Sequence, residues 1–279
     1  MGCGAALVRR LGEVDLSPPS VAFAWLGQHG FLIRFPEGWL LVDAYLSLSP
    51  ARRFPPALDP EDVAVVSAVL GSHDHSDHVD RPVWPHLARQ APQAVFIVPA
   101  RWADRLATEI GLPRERVWGI DEGREIELGR IRIRAIPAAH EFLDRDPVTG
   151  SNAWLGFLIE GNGVRLYHAG DTCLYEGLTS RLCAERPDIL FLPINGRDAE
   201  RYRRGCLGNM TYQEAADLAG AVRPRLVVPT HFDMFAGNSE NPALFGDYMA
   251  VKYPTVPVWI PRQGDVYRYP GGPVKRMAD

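Results

Sequence analysis

Six consecutive residues, His73-Asp74-His75-Ser76-Asp77-His78, gather three imidazoles and two carboxylates in an HxHxDH pattern. Imidazole and carboxylate donors without thiolate suit Zn²⁺ or Mn²⁺, with Fe also compatible. The hexapeptide follows the apolar run Val63–Leu70, which reads as a buried strand. It therefore sits on a loop leaving a strand, where open sheets carry their chemistry. In an extended loop alternate residues point the same way, so His73 and His75 can grip one ion. Asp77 and His78 then turn toward a second. The whole chain has only eight histidines, so three in six residues is not background.

Further donors are expected at other strand ends, and three segments offer them. Ile136-Pro137-Ala138-Ala139-His140 puts an imidazole where a strand exits. Tyr167-His168-Ala169-Gly170-Asp171 puts a carboxylate in a small-residue turn, and Leu226-Val227-Val228-Pro229-Thr230-His231 repeats the strand-then-histidine pattern. With HxHxDH they make up a set for two divalent ions. Such a pair would share a water and lower its pKa toward ~7, giving a metal-bound hydroxide at neutral pH. Asp77 is placed to orient it, and Asp77 and Asp171 are the catalytic candidates.

The elements that must hold these residues read as follows. Val21–Leu26, Phe31–Phe35 and Trp39–Asp43 are three short strands, followed by a surface loop over 46–62. Helices are predicted over Val83–Arg89, Arg101–Ile110, Thr211–Val222 (opened by a Thr211–Glu214 capping box) and Pro242–Val251. Strands are predicted at Ala94–Val98, Val117–Ile120, Glu125–Leu128, Ile131–Ile136, Trp154–Glu160, Val164–His168, Ile189–Pro193, Leu226–Pro229, Val256–Ile260 and Asp265–Tyr269. No linker divides them. Residues 1–20 read as a flexible lead-in, 21–270 as a single domain and 271–279 as a tail.

The motif order HxHxDH, His, Asp, His resembles the metallo-β-lactamase-fold hydrolase superfamily over roughly Val21 to Tyr269. The resemblance implies an α+β, four-layer αββα sandwich, two β-sheets flanked by helices, with metals at one edge. It also implies that His73, His75 and His140 bind one metal, that Asp77, His78 and His231 bind the other, and that Asp171 bridges. Segments Trp25–Phe31, Tyr167–Asp171, Pro193–Arg197 and Gly208–Thr211 further resemble the branch containing L-ascorbate-6-phosphate lactonase. This chain carries a histidine at position 140 where that lactonase does not, which favours a two-metal hydrolase of related type.

Substrate contacts are expected after Pro193. Arg197, Arg201, Arg203 and Arg204 fall within eight residues, near Asn195 and Asn209, and guanidinium forks match phosphate oxygens. Arg197, Asn195, Asn209 and the turn residue His29 are the substrate-binding candidates. The leading reading is hydrolysis of a lactone of a small sugar-acid type, with or without a phosphate. The alternatives are a phosphodiesterase on a small or cyclic phosphodiester, and a non-catalytic metal-binding regulator.

Composition narrows the partners. The net charge of −4 argues against nucleic acid and against a membrane surface, both of which favour a basic face. Four cysteines without CxxC pairing fit a reducing cytoplasm. The N-terminal residues do not read as a secretory signal. A small-molecule substrate is expected, and a homo-oligomer stays open.

Overall fold

Alternation within one strand sets the layers. In β1 (Val21–Gly27), Val21, Phe23 and Trp25 join one apolar cluster while Ala22, Ala24 and Leu26 join another. A strand buried on both faces must lie in a sheet covered on both sides. The structure, a computed structural model describing residues 3–275, has that arrangement.

Chain order continues with β2 (Gly30–Phe35), β3 (Gly38–Val42), β4 (Ala68–Leu70), β5 (Val95–Pro99) and β6 (Val117–Ile120). The second half supplies β7 (Glu125–Leu128), β8 (Ile131–Pro137), β9 (Leu155–Gly161), β10 (Val164–His168), β11 (Ile189–Pro193) and β12 (Leu226–Thr230). Two closing strands, β13 (Val266–Tyr269) and β14 (Gly272–Val274), return to the first sheet. Its order is β14-β13-β1-β2-β3-β4-β5-β6, and the second sheet runs β12-β11-β10-β9-β8-β7. Both are mixed: β3 to β6 pair in parallel, as do β10 to β12, while the remaining neighbours are antiparallel.

Aromatic rings join the sheets face to face. Phe191 of β11 stacks on Phe31 of β2 with centroids 4.1 Å apart and meets Phe23 of β1 edge-on at 5.1 Å. Each such fully buried ring contributes about 1.5–3 kcal/mol of transfer free energy. On the outer face of the first sheet lie α1 (Cys3–Gly12), α2 (Trp84–Gln90) and α3 (Ala103–Ile110). The second sheet is covered by α4 (Leu178–Glu185), α6 (Tyr212–Val222) and α7 (Pro242–Lys252), while α5 (Ala199–Arg203) is a single turn. The architecture is the α+β four-layer sandwich that the motif order implied.

Several local readings change. Residues 3–16 are not a flexible lead-in: Leu7 and Leu11, at i and i+4, bury one face of α1 in the outer core. Arg34 Nη1 then donates to the carbonyls of Leu11 (3.0 Å) and Val14 (2.6 Å), tying the segment down. Most of Val63–Leu70 is not strand. Pro60 opens a 3₁₀ turn over Pro60–Val63, so the strand shrinks to Ala68–Leu70, with Val63 and Val66 buried as turn residues.

Val256–Ile260 makes only one bridge, Val227 to Val258, because Pro257 and Pro261 have no N–H to give a ladder. Gly272–Val274 of the expected tail is a sheet strand, and 276–279 lie outside the described residues. The helices α4 and α5 were not anticipated. Among the described residues no helix is long and apolar enough to cross a membrane, and all four cysteines are free.

Candidate metal centre

Four strand exits converge at one edge between the sheets. The loop after β4 carries His73, His75, Asp77 and His78, β8 runs out to His140, β10 to Asp171 and β12 to His231. The hexapeptide is not extended, as its amide hydrogen bonds show. His78 N and Val79 N both donate to His75 O, at 3.1 and 2.8 Å, so the segment coils back on itself. His73 and His75 nevertheless converge, with ring centroids 4.6 Å apart.

Two groups of donor atoms result, each within 4.8 Å: His73, His75 and Asp171, and then Asp77, His78 and His231. Asp171 stands between them. Its Oδ1 lies 3.4 Å from both His78 Nε2 and His231 Nε2, and its Oδ2 lies 3.9 Å from His73 Nε2. Asp77 Oδ2 is 3.7 Å from His78 Nε2 and 3.8 Å from His231 Nε2. His140 joins the first group's rings, 5.1 Å from His75 and 5.8 Å from His73, without bringing its donor atom into that 4.8 Å cluster.

The electrostatics divide the site. Burial pushes the imidazoles of His73 and His75 below their ordinary value, and His140 down to about 4, so these rings are neutral with a lone pair to give. His78 goes the other way. Burial opposes its charge, but Asp171, Asp43 and Asp77 outweigh it and raise the ring to about 10. His231 is raised as well, burial being overcome chiefly by Asp171. Burial disfavours ionised Asp171, yet His231 and His78 hold its carboxyl well below the usual range. For Asp77 the same two histidines outweigh burial, and its carboxyl too is lowered.

These residues fit a metal centre on their hydrogen bonding. His73 Nε2, His78 Nε2 and Asp171 Oδ1 are buried without a hydrogen-bond partner, although both histidines lie within 4 Å of the Asp171 carboxylate. A buried polar group left unpaired costs about 1–3 kcal/mol, so a cluster of them needs a ligand. Cations sharing Asp171 would satisfy all three.

Supporting residues that sequence reasoning missed complete the edge. Asp43, at the exit of β3, has Oδ2 2.7 Å from His78 Nδ1 and 2.6 Å from Ser72 Oγ, while Ser72 N donates to its Oδ1 at 2.7 Å. A carboxylate on the far nitrogen fixes which nitrogen of His78 faces the site. The sequence signal was the strand-then-polar pattern that picked out His140 and His231. The Trp154 indole packs on His73, His75 and His140 at 4.8, 5.0 and 4.9 Å. Gln28, beside the expected His29, reaches Asp77 and His231.

The substrate candidates land elsewhere. Arg197 is exposed and forms a bidentate pair with Glu214, both distances 2.7 Å, while also donating to Asn209 O. Arg201 pairs with Asp198 at 2.7 Å, and Arg203 and Arg204 face Glu200 at 3.5 and 3.8 Å. The phosphate site expected of this cluster is therefore revised: its guanidinium groups already face carboxylates. Asn195 and Asn209 are buried and bond each other, with Asn195 Nδ2 donating to Asn238 at 2.7 Å. They hold the loop that carries Asn238 and do not line the cleft. His29 is fully buried behind the site against His168, with centroids 4.0 Å apart, and is no part of an open wall.

The cleft over the metal residues has a volume of about 450 Å³. Beyond His75, Asp77, His140, Asp171 and His231, it is lined by uncharged residues, among them Tyr45, Ser49, Cys206, Leu207, Phe235 and Asn238.

Comparison with known proteins agrees with the fold. The family described as "Beta-lactamase superfamily domain" matches residues 38–232. A UPF0173 metal-dependent hydrolase of Caldivirga maquilingensis is 28% identical over 247 residues, covering 88% of this chain and 97% of that protein. A UPF0173 protein of Pyrococcus furiosus is 30% identical over 218 residues, covering 76% of this chain and 83% of its own. Among solved structures, Igni18, a metallo hydrolase from Ignicoccus hospitalis, superposes with a TM-score of 0.69 at 20% identity, covering 90% of this chain and 98% of that one.

Proposed function

The chain belongs to the beta-lactamase superfamily, and on that premise we propose that it is a two-metal hydrolase opening a lactone or related ester of a small, uncharged substrate. The observation that carries the reading is the buried cluster of unpaired donors around Asp171, set beneath a cleft with an uncharged lining. Relatives described as metal-dependent hydrolases support the reaction class.

His73, His75, His140 and Asp171 would hold one cation, and Asp77, His78, His231 and Asp171 the other. When bound, such ions supply Lewis acidity and bring the pKa of a shared water toward ~7. The chain's own residues do the rest. Asp77, held ionised by its histidine neighbours and partly open to the cleft, accepts a hydrogen bond from the attacking water and orients it. Asp43 and Ser72 lock the His78 ring. Trp154 closes the side of the site occupied by His73, His75 and His140. Tyr45, Leu207 and Phe235 give the substrate an apolar seat, and Asn238 offers a neutral polar contact.

The phosphorylated substrate loses its support, because the arginines that would have gripped a phosphate pair with Glu214, Asp198 and Glu200. A panel of uncharged lactones, their phosphorylated counterparts and small phosphodiesters, run on metal-reconstituted protein, tests this. Turnover is expected with uncharged lactones and should fall when a phosphate is added. Preferred hydrolysis of phosphodiesters would overturn the substrate class.

A further inference from the structure

Gln28 is a neutral side chain whose polar end reaches two members of the donor group, Asp77 and His231. Its amide nitrogen lies 2.9 Å from Asp77 Oδ2 and 3.1 Å from His231 Nε2, and its carbonyl oxygen is buried with no partner. The residue has no exposed surface. Its backbone is left-handed, φ 53°, a conformation that non-glycine residues adopt at a cost of order 1–3 kcal/mol.

Three hydrogen bonds hold it there. His231 N donates to Gln28 O at 2.7 Å, Trp25 Nε1 donates to the same oxygen at 3.2 Å, and Gln28 N donates to Asp233 Oδ1 at 3.3 Å. Two of the three come from the exit of β12 that carries His231. Gln28 and His231 are thus fixed to one another, and His231 is itself left-handed at φ 57°.

A metal in this group changes what the amide can do. An imidazole nitrogen that gives its lone pair to a cation can no longer accept from the Gln28 N–H. With a cation there the amide would turn over, bringing its unpartnered oxygen to the position now assigned to nitrogen. Ligand bonds of about 2.0–2.2 Å place neighbouring donors roughly 3–3.5 Å apart. The 3.1 Å separation of the Gln28 terminus from His231 falls within that spacing, and the 2.9 Å separation from Asp77 lies just below it.

We infer that Gln28 is a further metal ligand, its side-chain oxygen joining Asp77, His78 and His231 around the second cation. The inference rests on the two-metal reading above. A neutral oxygen adds a donor without adding charge to a group that already holds Asp77 and Asp171.

Zn²⁺ titration of the metal-free full-length chain against a chromophoric chelator tests it, with the melting temperature of each metal-free variant as the folding control. Wild type should bind two equivalents. Q28A should keep one and weaken the other by at least the roughly 10–100-fold lost when an outer hydrogen-bond partner of a ligand is removed. Q28E, which keeps an oxygen at the same reach, should retain both. Q28N is one methylene short but suited to left-handed backbone, and should split the equivalents as alanine does even if alanine does not fold. Two unchanged equivalents in Q28A would overturn the inference. So would a Q28E weaker than Q28A, since the amide would then be acting as a donor to Asp77. A single equivalent in wild type would instead overturn the two-metal reading itself.

Discussion

The edge around Asp171 and the turn of α5 are both rich in charge, yet they solve opposite problems. At the edge, His73, His78 and Asp171 are buried and carry polar atoms that no protein hydrogen bond satisfies, even where His78 and Asp171 stand 3.4 Å apart. Around α5, Arg197, Arg201, Arg203 and Arg204 each face a carboxylate within 4 Å. The pairs of Arg197, Arg203 and Arg204 are well exposed on the arginine side, and each such pair contributes at most about 1 kcal/mol. Charge that is buried and unpaired is costly unless something else completes it. The contrast separates the residues that await a ligand from those that already have partners. Strain falls on the same side: Gln28, Asp43 and His231 all hold left-handed backbone at the metal edge.

The sharpest way to break this comparison is Asp171→Ala. It removes the carboxylate shared by both donor groups, so metal content should drop and turnover fall by roughly 10³-fold, the several kcal/mol that metal assistance supplies. Metal content and kcat/KM of the purified variant check it, and persistent turnover would refute the two-metal reading. Asp43→Asn keeps the shape beside His78 Nδ1 but removes the charge. The expected effect is about tenfold weaker metal affinity, measured by chelator competition, with the melting temperature reporting any damage to the fold.

Arg197→Ala should have the smallest effect: kcat/KM within about twofold for uncharged and phosphorylated lactones alike. Its consequence belongs to stability. The Arg197 guanidinium holds the Glu214 carboxyl below its ordinary value. A depressed carboxylate pKa contributes stability above the unfolded value of ~4.3, and that contribution is lost as pH falls through the folded value. The variant should therefore melt slightly lower near pH 7, with the difference vanishing under more acid conditions. The pair is about two-fifths exposed on the arginine side, which keeps the effect below about 1 kcal/mol. A large loss of activity toward phosphorylated substrates alone would restore the phosphate site.

Much of the frame was legible beforehand. Strands β6 to β11 fall close to where alternation and apolar runs put them, and the Thr211–Glu214 capping box opens α6 as expected. What was missed has local causes that a pattern hides. Leu7 and Leu11 are enough to bury a short helix, although Ser17-Pro18-Pro19-Ser20 beyond it reads as loop. Val63 to Val66 look like strand but follow Pro60 into turns. For the site, the strand-exit rule picked out Asp171 and His231, which the structure brings together with the hexapeptide, and His140, whose ring packs beside them; applied once more it would have picked out Asp43.

The sequence alone determined which donors exist and that they leave buried strands, because ligand chemistry is carried by residue type and strand period is local. Only the tertiary structure decided who meets whom. Gln28 reaches Asp77 across 49 positions and His231 across 203, and Arg197 finds Glu214 across 17. No local period encodes such pairings. They follow from the order in which strands join a sheet, and that order alone told the unpaired imidazoles from the paired arginines.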